Sequence, residues 1–121
     1  MPHLYIEYTE NLTGLNEREL MREINAVICS HPTVNDEADV KARIARLAMS
    51  NVYIGNQPDN RGFVHVYLRL MAGRSTEAKK QMSDGMAEVL RRAVPHHEGV
   101  MVQLSVDIAD MDKATYFKGR L

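Results

Sequence analysis

The stretch "VHVYLR", Val64–Arg69, repeats "PHLYIE", Pro2–Glu7, with His65 falling on His3 and Tyr67 on Tyr5. The offset of 62 residues persists beyond these two segments. It sets Leu20, Ile24, Val27 and Ile28 on Met82, Met86, Val89 and Leu90, the i, i+4, i+7, i+8 stripe of an amphipathic helix in each copy. Further along it sets Val40, Ala42 and Ile44 on Val102, Leu104 and Val106, which alternate as residues of a strand do. The chain therefore reads strand, helix, strand, twice over, and its 121 residues hold almost two periods.

Local signals agree with the repeat. Asn16 with Glu19 three residues on reads as a capping box, and Ser75 with Glu77 in the first turn opens the second helix. Pro32 and Pro95 close the two helices. Gly85, inside the second helical pattern, costs about 1 kcal/mol relative to Ala and weakens that pattern without reversing it. "NQPDNRG", Asn56–Gly62, carries turn signals and joins the halves. No linker composition divides the chain, so a single domain over 1–121 is expected, its repeats at about 2–55 and 63–110.

Two strands joined through a helix run parallel with a right-handed crossover. Two such βαβ units related by a pseudo-twofold axis predict an α+β fold, a two-layer α/β sandwich: one four-stranded mixed sheet with both helices on one face. Leu4, Ile6, Val64, Val66, Leu68, Val102, Leu104, Val106 and Ile108 are assigned to the helix-covered face. The other face carries His3, Tyr5, Glu7, His65, Tyr67, Arg69, Gln103, Ser105 and Asp107. Such a mixed surface suits either water or a wet subunit interface.

Composition narrows the partners. Acids and bases nearly balance, with net charge -1 and no Lys/Arg block, which argues against nucleic acid or a membrane surface as principal partner. A lone cysteine, Cys29, cannot form an internal disulfide and fits a reducing compartment. No apolar run approaches spanning length, and the N-terminus lacks the basic and apolar regions of a signal peptide, so a cytoplasmic location is expected. His96 and His97 lack companions at metal-ligand spacing, and there is no phosphate loop or dinucleotide fingerprint, so neither metal nor cofactor is expected. Cys29 has no evident base partner, and the eight methionines fall mostly on core patterns.

Pro2 raises a separate question. The first position of a strand tolerates a residue without an N–H. Alternatively, Met1 before a small residue is removed and Pro2 becomes a free secondary amine, whereas a retained Met1 makes the same nitrogen an amide with no basic lone pair. Residue statistics leave both readings open.

"MPH" at the start, "FVHVYLRLMAGRS" from Phe63 to Ser75, "LSVDI" from Leu104 to Ile108 and "YFK" from Tyr116 resemble the tautomerase superfamily, and within it the 5-carboxymethyl-2-hydroxymuconate isomerase family. With the order of elements, the resemblance covers essentially the whole chain. It implies a tautomerase-like duplicated βαβ subunit assembled as a homotrimer, acting in bacterial breakdown of aromatic acids. The amino-terminal proline is then the catalytic base and the substrate a small carboxylate, a tricarboxylic dienol.

Moving a proton along a dienol needs a base with a pKa near working pH and a group to hold the accumulating negative charge. An α-amino group titrates at about 8, and burial and neighbouring cations both push that value down. A processed Pro2 would take a proton from the substrate's 2-hydroxyl and return one to carbon farther along the conjugated chain. The carboxylates call for cations. Arg74 matches the "GRS" arginine implied by the resemblance, and it stands before the second helix, where a cation opposes the helix dipole unless an anion docks there; the plainer reading is a solvated loop arginine. In the corresponding strand the family's "IRSR" is "VKAR" here, which makes Lys41 and Arg43 the candidates for a second cation. Lys lacks the bidentate fork, and both residues also suit an exposed strand edge.

Two other functions share these features: a tautomerase-superfamily hydratase or dehalogenase working through a protonated proline, and a non-catalytic small-molecule or protein-binding module, since fold alone does not specify function.

Overall fold

The alternation of apolar residues from His3 to Thr9 makes β1, which is followed by helix α1 (Glu17–Cys29) and strand β2 (Lys41–Leu47). The second half gives β3 (Arg61–Met71), helix α2 (Thr76–Ala93) and β4 (Met101–Met111). This is the predicted order, in a computed structural model that describes residues 1–121. No helix is long and apolar enough to cross a membrane. Asn16 caps α1, its side chain accepting from the Glu19 amide at 3.1 Å, and Ser75 caps α2 by accepting from Ala78 at 3.1 Å. Glu19 does not complete the capping box, because its carboxylate is taken by Arg22. The turn expected over Asn56–Gly62 is shorter than predicted: Asn60 adopts a left-handed φ of 57°, and β3 begins at Arg61.

The sheet order is β2-β1-β3-β4. β1 runs parallel to β2, β3 runs parallel to β4, and the two units meet through antiparallel β1 and β3. In that central ladder Tyr5 lies opposite Tyr67, its own copy in the repeat, so the pseudo-twofold passes through this pair. The ring centroids are 6.3 Å apart.

Leu4, Ile6, Val64, Val66, Leu68 and Leu70 form the sheet side of the core, and Leu20, Ile24, Ile28, Met82, Met86, Val89 and Leu90 the helix side. Each fully buried side chain of this size contributes about 1.5–3 kcal/mol relative to exposure. Gly85 is explained by the contact between the helices: an added Cβ would meet Val27 Cγ1 at 2.7 Å, so the glycine lets α2 lie close to α1.

One face assignment needs correction. Leu104, expected under the helices, is 38% exposed. β4 is an edge strand, and α2 leaves a groove of ≈ 470 Å³ beside it, lined among others by Leu90, Arg91 and Leu104. Val102, Val106 and Ile108 are only partly covered. The opposite face is open as expected. There His65 Nδ1 lies 2.6 Å from the Ser105 hydroxyl, and the Arg43 guanidinium stacks over the Tyr5 ring at 4.4 Å.

Candidate active site

Parallel pairing of β1 with β2 brings the chain start beside the loop that precedes β2, since Lys41 N–H donates to the Pro2 carbonyl at 3.1 Å. Pro2 is buried at the margin of the sheet. At the far end of β3, Gly73 with φ 125° turns the chain sharply into α2, a conformation that favours glycine, and presents Arg74 to the same place. An open cleft of ≈ 630 Å³ results, lined by Met1, Pro2, Met71, Arg74, the Thr33–Asp36 loop with Asp39, and Lys118–Arg120 of the C-terminal segment.

Arg74 is half-buried, and its guanidinium is held in place: Nε donates to Thr33 Oγ1 at 2.9 Å and Nη2 to the Thr33 carbonyl at 3.0 Å. These partners are uncharged. No carboxylate pairs with Arg74, so its positive charge stays uncompensated on the cleft wall. Lys41 is not on the lining itself but touches two residues that are, its Nζ 2.9 Å from the Asp39 carbonyl and 3.0 Å from the Met1 sulfur. Arg43 lies apart from the cleft lining, on the open sheet face, where it donates to His3 Nδ1 at 3.3 Å. His3 then carries its proton on Nε2 and donates to the Tyr116 hydroxyl at 2.7 Å, an assignment that follows from the partners. Burial, helped by Arg43, holds its pKa below the ordinary value.

The structure thus brings Pro2 and Arg74 together, places Lys41 beside them and leaves Arg43 outside. It adds Asp36, Asp39, Lys118 and Arg120, which the sequence reading missed. Lys118 pairs with Asp39 at 2.8 Å, and Arg120 pairs with Asp36 at 2.6 Å and Asp39 at 3.2 Å. The available signal was the lysine of "YFK", which the resemblance included without a role.

The amine at the chain start feels this surrounding charge. Burial lowers the pKa of the Met1 α-amino group below 8.0, Lys118 lowers it further, Asp39 opposes, and Arg74 and Lys41 add to the lowering. Cys29 is half-buried, its thiol pushed up by burial and then by Glu37, which suits an unreactive position. His97 is tied to the Thr13 carbonyl at 2.9 Å.

Two helices laid on one face of a mixed four-stranded sheet are the fold of the tautomerase superfamily. The chain belongs to the 5-carboxymethyl-2-hydroxymuconate isomerase family, whose family model matches residues 2–120, and it is accordingly an isomerase. Among solved structures it is similar to a 5-carboxymethyl-2-hydroxymuconate isomerase from Deinococcus radiodurans R1, with 29% identity, TM-score 0.85 and coverage of 99% of this chain and 90% of that one. A 5-carboxymethyl-2-hydroxymuconate delta-isomerase, 19% identical with TM-score 0.81, covers 100% of this chain and 88% of its own. A fused 4-OT wild-type symmetric trimer, 18% identical with TM-score 0.73, covers 93% and 87%. The last two likenesses show the fold alone. No curated protein sequence matches the chain.

Proposed function

We propose that the chain isomerises a 5-carboxymethyl-2-hydroxymuconate-like dienol, with the secondary amine of Pro2, exposed by removal of Met1, as the base. Pro2 takes the proton of the 2-hydroxyl and delivers one to carbon farther along the conjugated system. Arg74 binds a substrate carboxylate near the reacting carbons, and Lys41 supplies the second cation within the protomer. No cofactor takes part. The observation that carries the reading is the position of Pro2 on the lining of a cleft in which Arg74 has no carboxylate partner.

Electrostatics favour this reaction over its relatives. Burial and the cations Lys118, Arg74 and Lys41, opposed by Asp39, lower the pKa of the Met1 amine; the same surroundings acting on the neighbouring Pro2 nitrogen would favour the free base that proton abstraction needs. A hydratase or dehalogenase working through a protonated proline requires the reverse. The open sheet face, with its tyrosines and paired polar groups, supports assembly into a homotrimer, the state named for the fused 4-OT relative.

Intact-mass measurement of the protein from its natural host should find Met1 absent. An ultraviolet assay on 2-hydroxymuconate should lose turnover in Pro2→Ala and show mainly a raised KM in Arg74→Ala. Unchanged rates in both variants, or a retained Met1, would defeat the proposal. Native mass tests the assembly separately, and a stable monomer would remove the trimer.

A further inference from the structure

After β4 the chain forms no further helix or strand, yet residues Asp112–Leu121 are tied down at widely separated points. Tyr116 meets His3 at 2.7 Å, Lys118 reaches Asp39 at 2.8 Å, and Arg120 reaches Asp36 at 2.6 Å. Lys118, Gly119 and Arg120 of this strap line the same cleft as Pro2 and Arg74. Its acidic partners are the fixed members of each pair. The Asp39 side chain is only 13% exposed, and Asp36 Oδ1 caps the short turn at Glu37–Asp39 by accepting from Ala38 at 3.0 Å. Lys118 and Arg120 are 49% and 60% exposed at the ends of long, flexible side chains.

The cations also have donors to spare. Arg120 uses only Nη2 toward the two aspartates, leaving Nε and Nη1 without a protein partner, and Lys118 uses Nζ on one carboxylate oxygen. A guanidinium has five N–H donors and an ammonium three. The pairs therefore align the cations without saturating them, and an arriving carboxylate can share them with Asp36 and Asp39. The two cations and two aspartates cancel formally, so what the strap offers an arriving carboxylate is its spare N–H donors.

We propose that the strap is the substrate-selecting wall of the cleft, with Lys118 and Arg120, aligned by Asp39 and Asp36, joining Lys41 in binding the carboxylates of a polycarboxylic enol other than the one at Arg74. The inference rests on the placement of the reaction at Pro2, and it extends that reading to residues that determine which acids are accepted.

The test uses Lys118→Ala, Arg120→Ala and Lys118→Arg in the full chain, with thermal unfolding to confirm that each is folded. Two substrates are compared, 2-hydroxymuconate as a dicarboxylic enol and the enol of phenylpyruvate as a monocarboxylic one. The alanine variants should raise KM for 2-hydroxymuconate about tenfold, the scale of one charge-assisted contact, and far less for the monocarboxylic enol; kcat is compared on Arg120→Ala, because Lys118→Ala also removes a cation that lowers the pKa of the chain-start amine. Lys118→Arg should restore most of the loss. Calorimetric titration with tricarballylate, which cannot isomerise, should show the same loss of affinity in both alanine variants. A wild type inert toward both enols refutes the proposed isomerisation while the titration still tests the strap. Equal losses on both substrates, tricarballylate affinity unchanged in the variants, or no tricarballylate binding to the wild type would each overturn the selecting role.

Discussion

Gly85→Ala is expected to destabilise the protein, although alanine is the better helix former. Within α2 the substitution gains about 1 kcal/mol of helix propensity. Against this, the new Cβ would stand 2.7 Å from Val27 Cγ1, well inside van der Waals contact. Val27 has no flexible end to swing away: a β-branched side chain in a helix is confined mainly to one χ1 rotamer. It also packs against the core. Overpacking of this kind costs about 1–3 kcal/mol, so the net loss should be about 1 kcal/mol. Urea unfolding at fixed protein concentration measures it, with a midpoint about 0.3–1 M lower for an m-value of about 1–3 kcal/mol/M. The decisive arm is the same substitution in a Val27→Ala background. With the opposing methyl groups gone, alanine at 85 should stabilise by about 1 kcal/mol, a coupling of about 2 kcal/mol between the two positions. If Gly85→Ala raises the midpoint in the native background, or shifts it equally in both, close helix approach is not the reason for the glycine.

Ser75→Ala removes the acceptor of the Ala78 amide and should cost about 1 kcal/mol in the same unfolding assay; a change within a few tenths would refute the cap's contribution. Leu68→Ala empties a fully buried position on β3 and should cost about 2–5 kcal/mol, a value below 1 showing that the site collapses freely. Asp36 is held below 3.8 first by its hydrogen bond from Arg120, and Asp39 below 3.8 first by that from Lys118. Their folded pKa values are depressed, so what they contribute to holding the strap is complete above the unfolded value and is lost as pH falls through the folded one. Amide resonances of Lys118–Arg120 followed through an acid titration should move with midpoints below 3.8, and midpoints at or above it would show that the ion pairs do not form in solution.

The duplicated pattern made the architecture readable because each copy states the same burial. Leu4 and Ile6 alternate as Val66 and Leu68 do, and the helical stripe recurs at the same offset. Position within the sheet was less readable. Leu104 has the pattern of a covered residue, but edge placement of β4 depends on which strands pair, and apolar alternation does not encode that. Gly85 looked like a local cost, since its compensation lies on α1 and is visible only once the helices pack. In the cleft, Pro2 and Arg74 were candidates because they match "MPH" and "GRS" of the resemblance, and both lie on its lining. Asp36, Asp39, Lys118 and Arg120 were not, because ion pairs that close across 79 to 84 residues leave no spacing to read. Lys41 and Arg43 looked equivalent in "VKAR", and only their different neighbours separate them, Met1 for one and the Tyr5 ring for the other.

The axis through Tyr5 and Tyr67 relates two halves whose backbones match and whose chemistry does not. The 62-residue offset of the repeat sets Val64, in the middle of a strand with no chain end, against Pro2, and Leu12, which is 1% exposed within the apolar interior, against Arg74. One half thus keeps a terminus and a charge where the other has only packing, so the features proposed as the reaction centre occur once in each polypeptide. A substitution at Leu12 is therefore judged by its effect on folding, and the same change at the matching arginine, on the proposed function, by its effect on turnover.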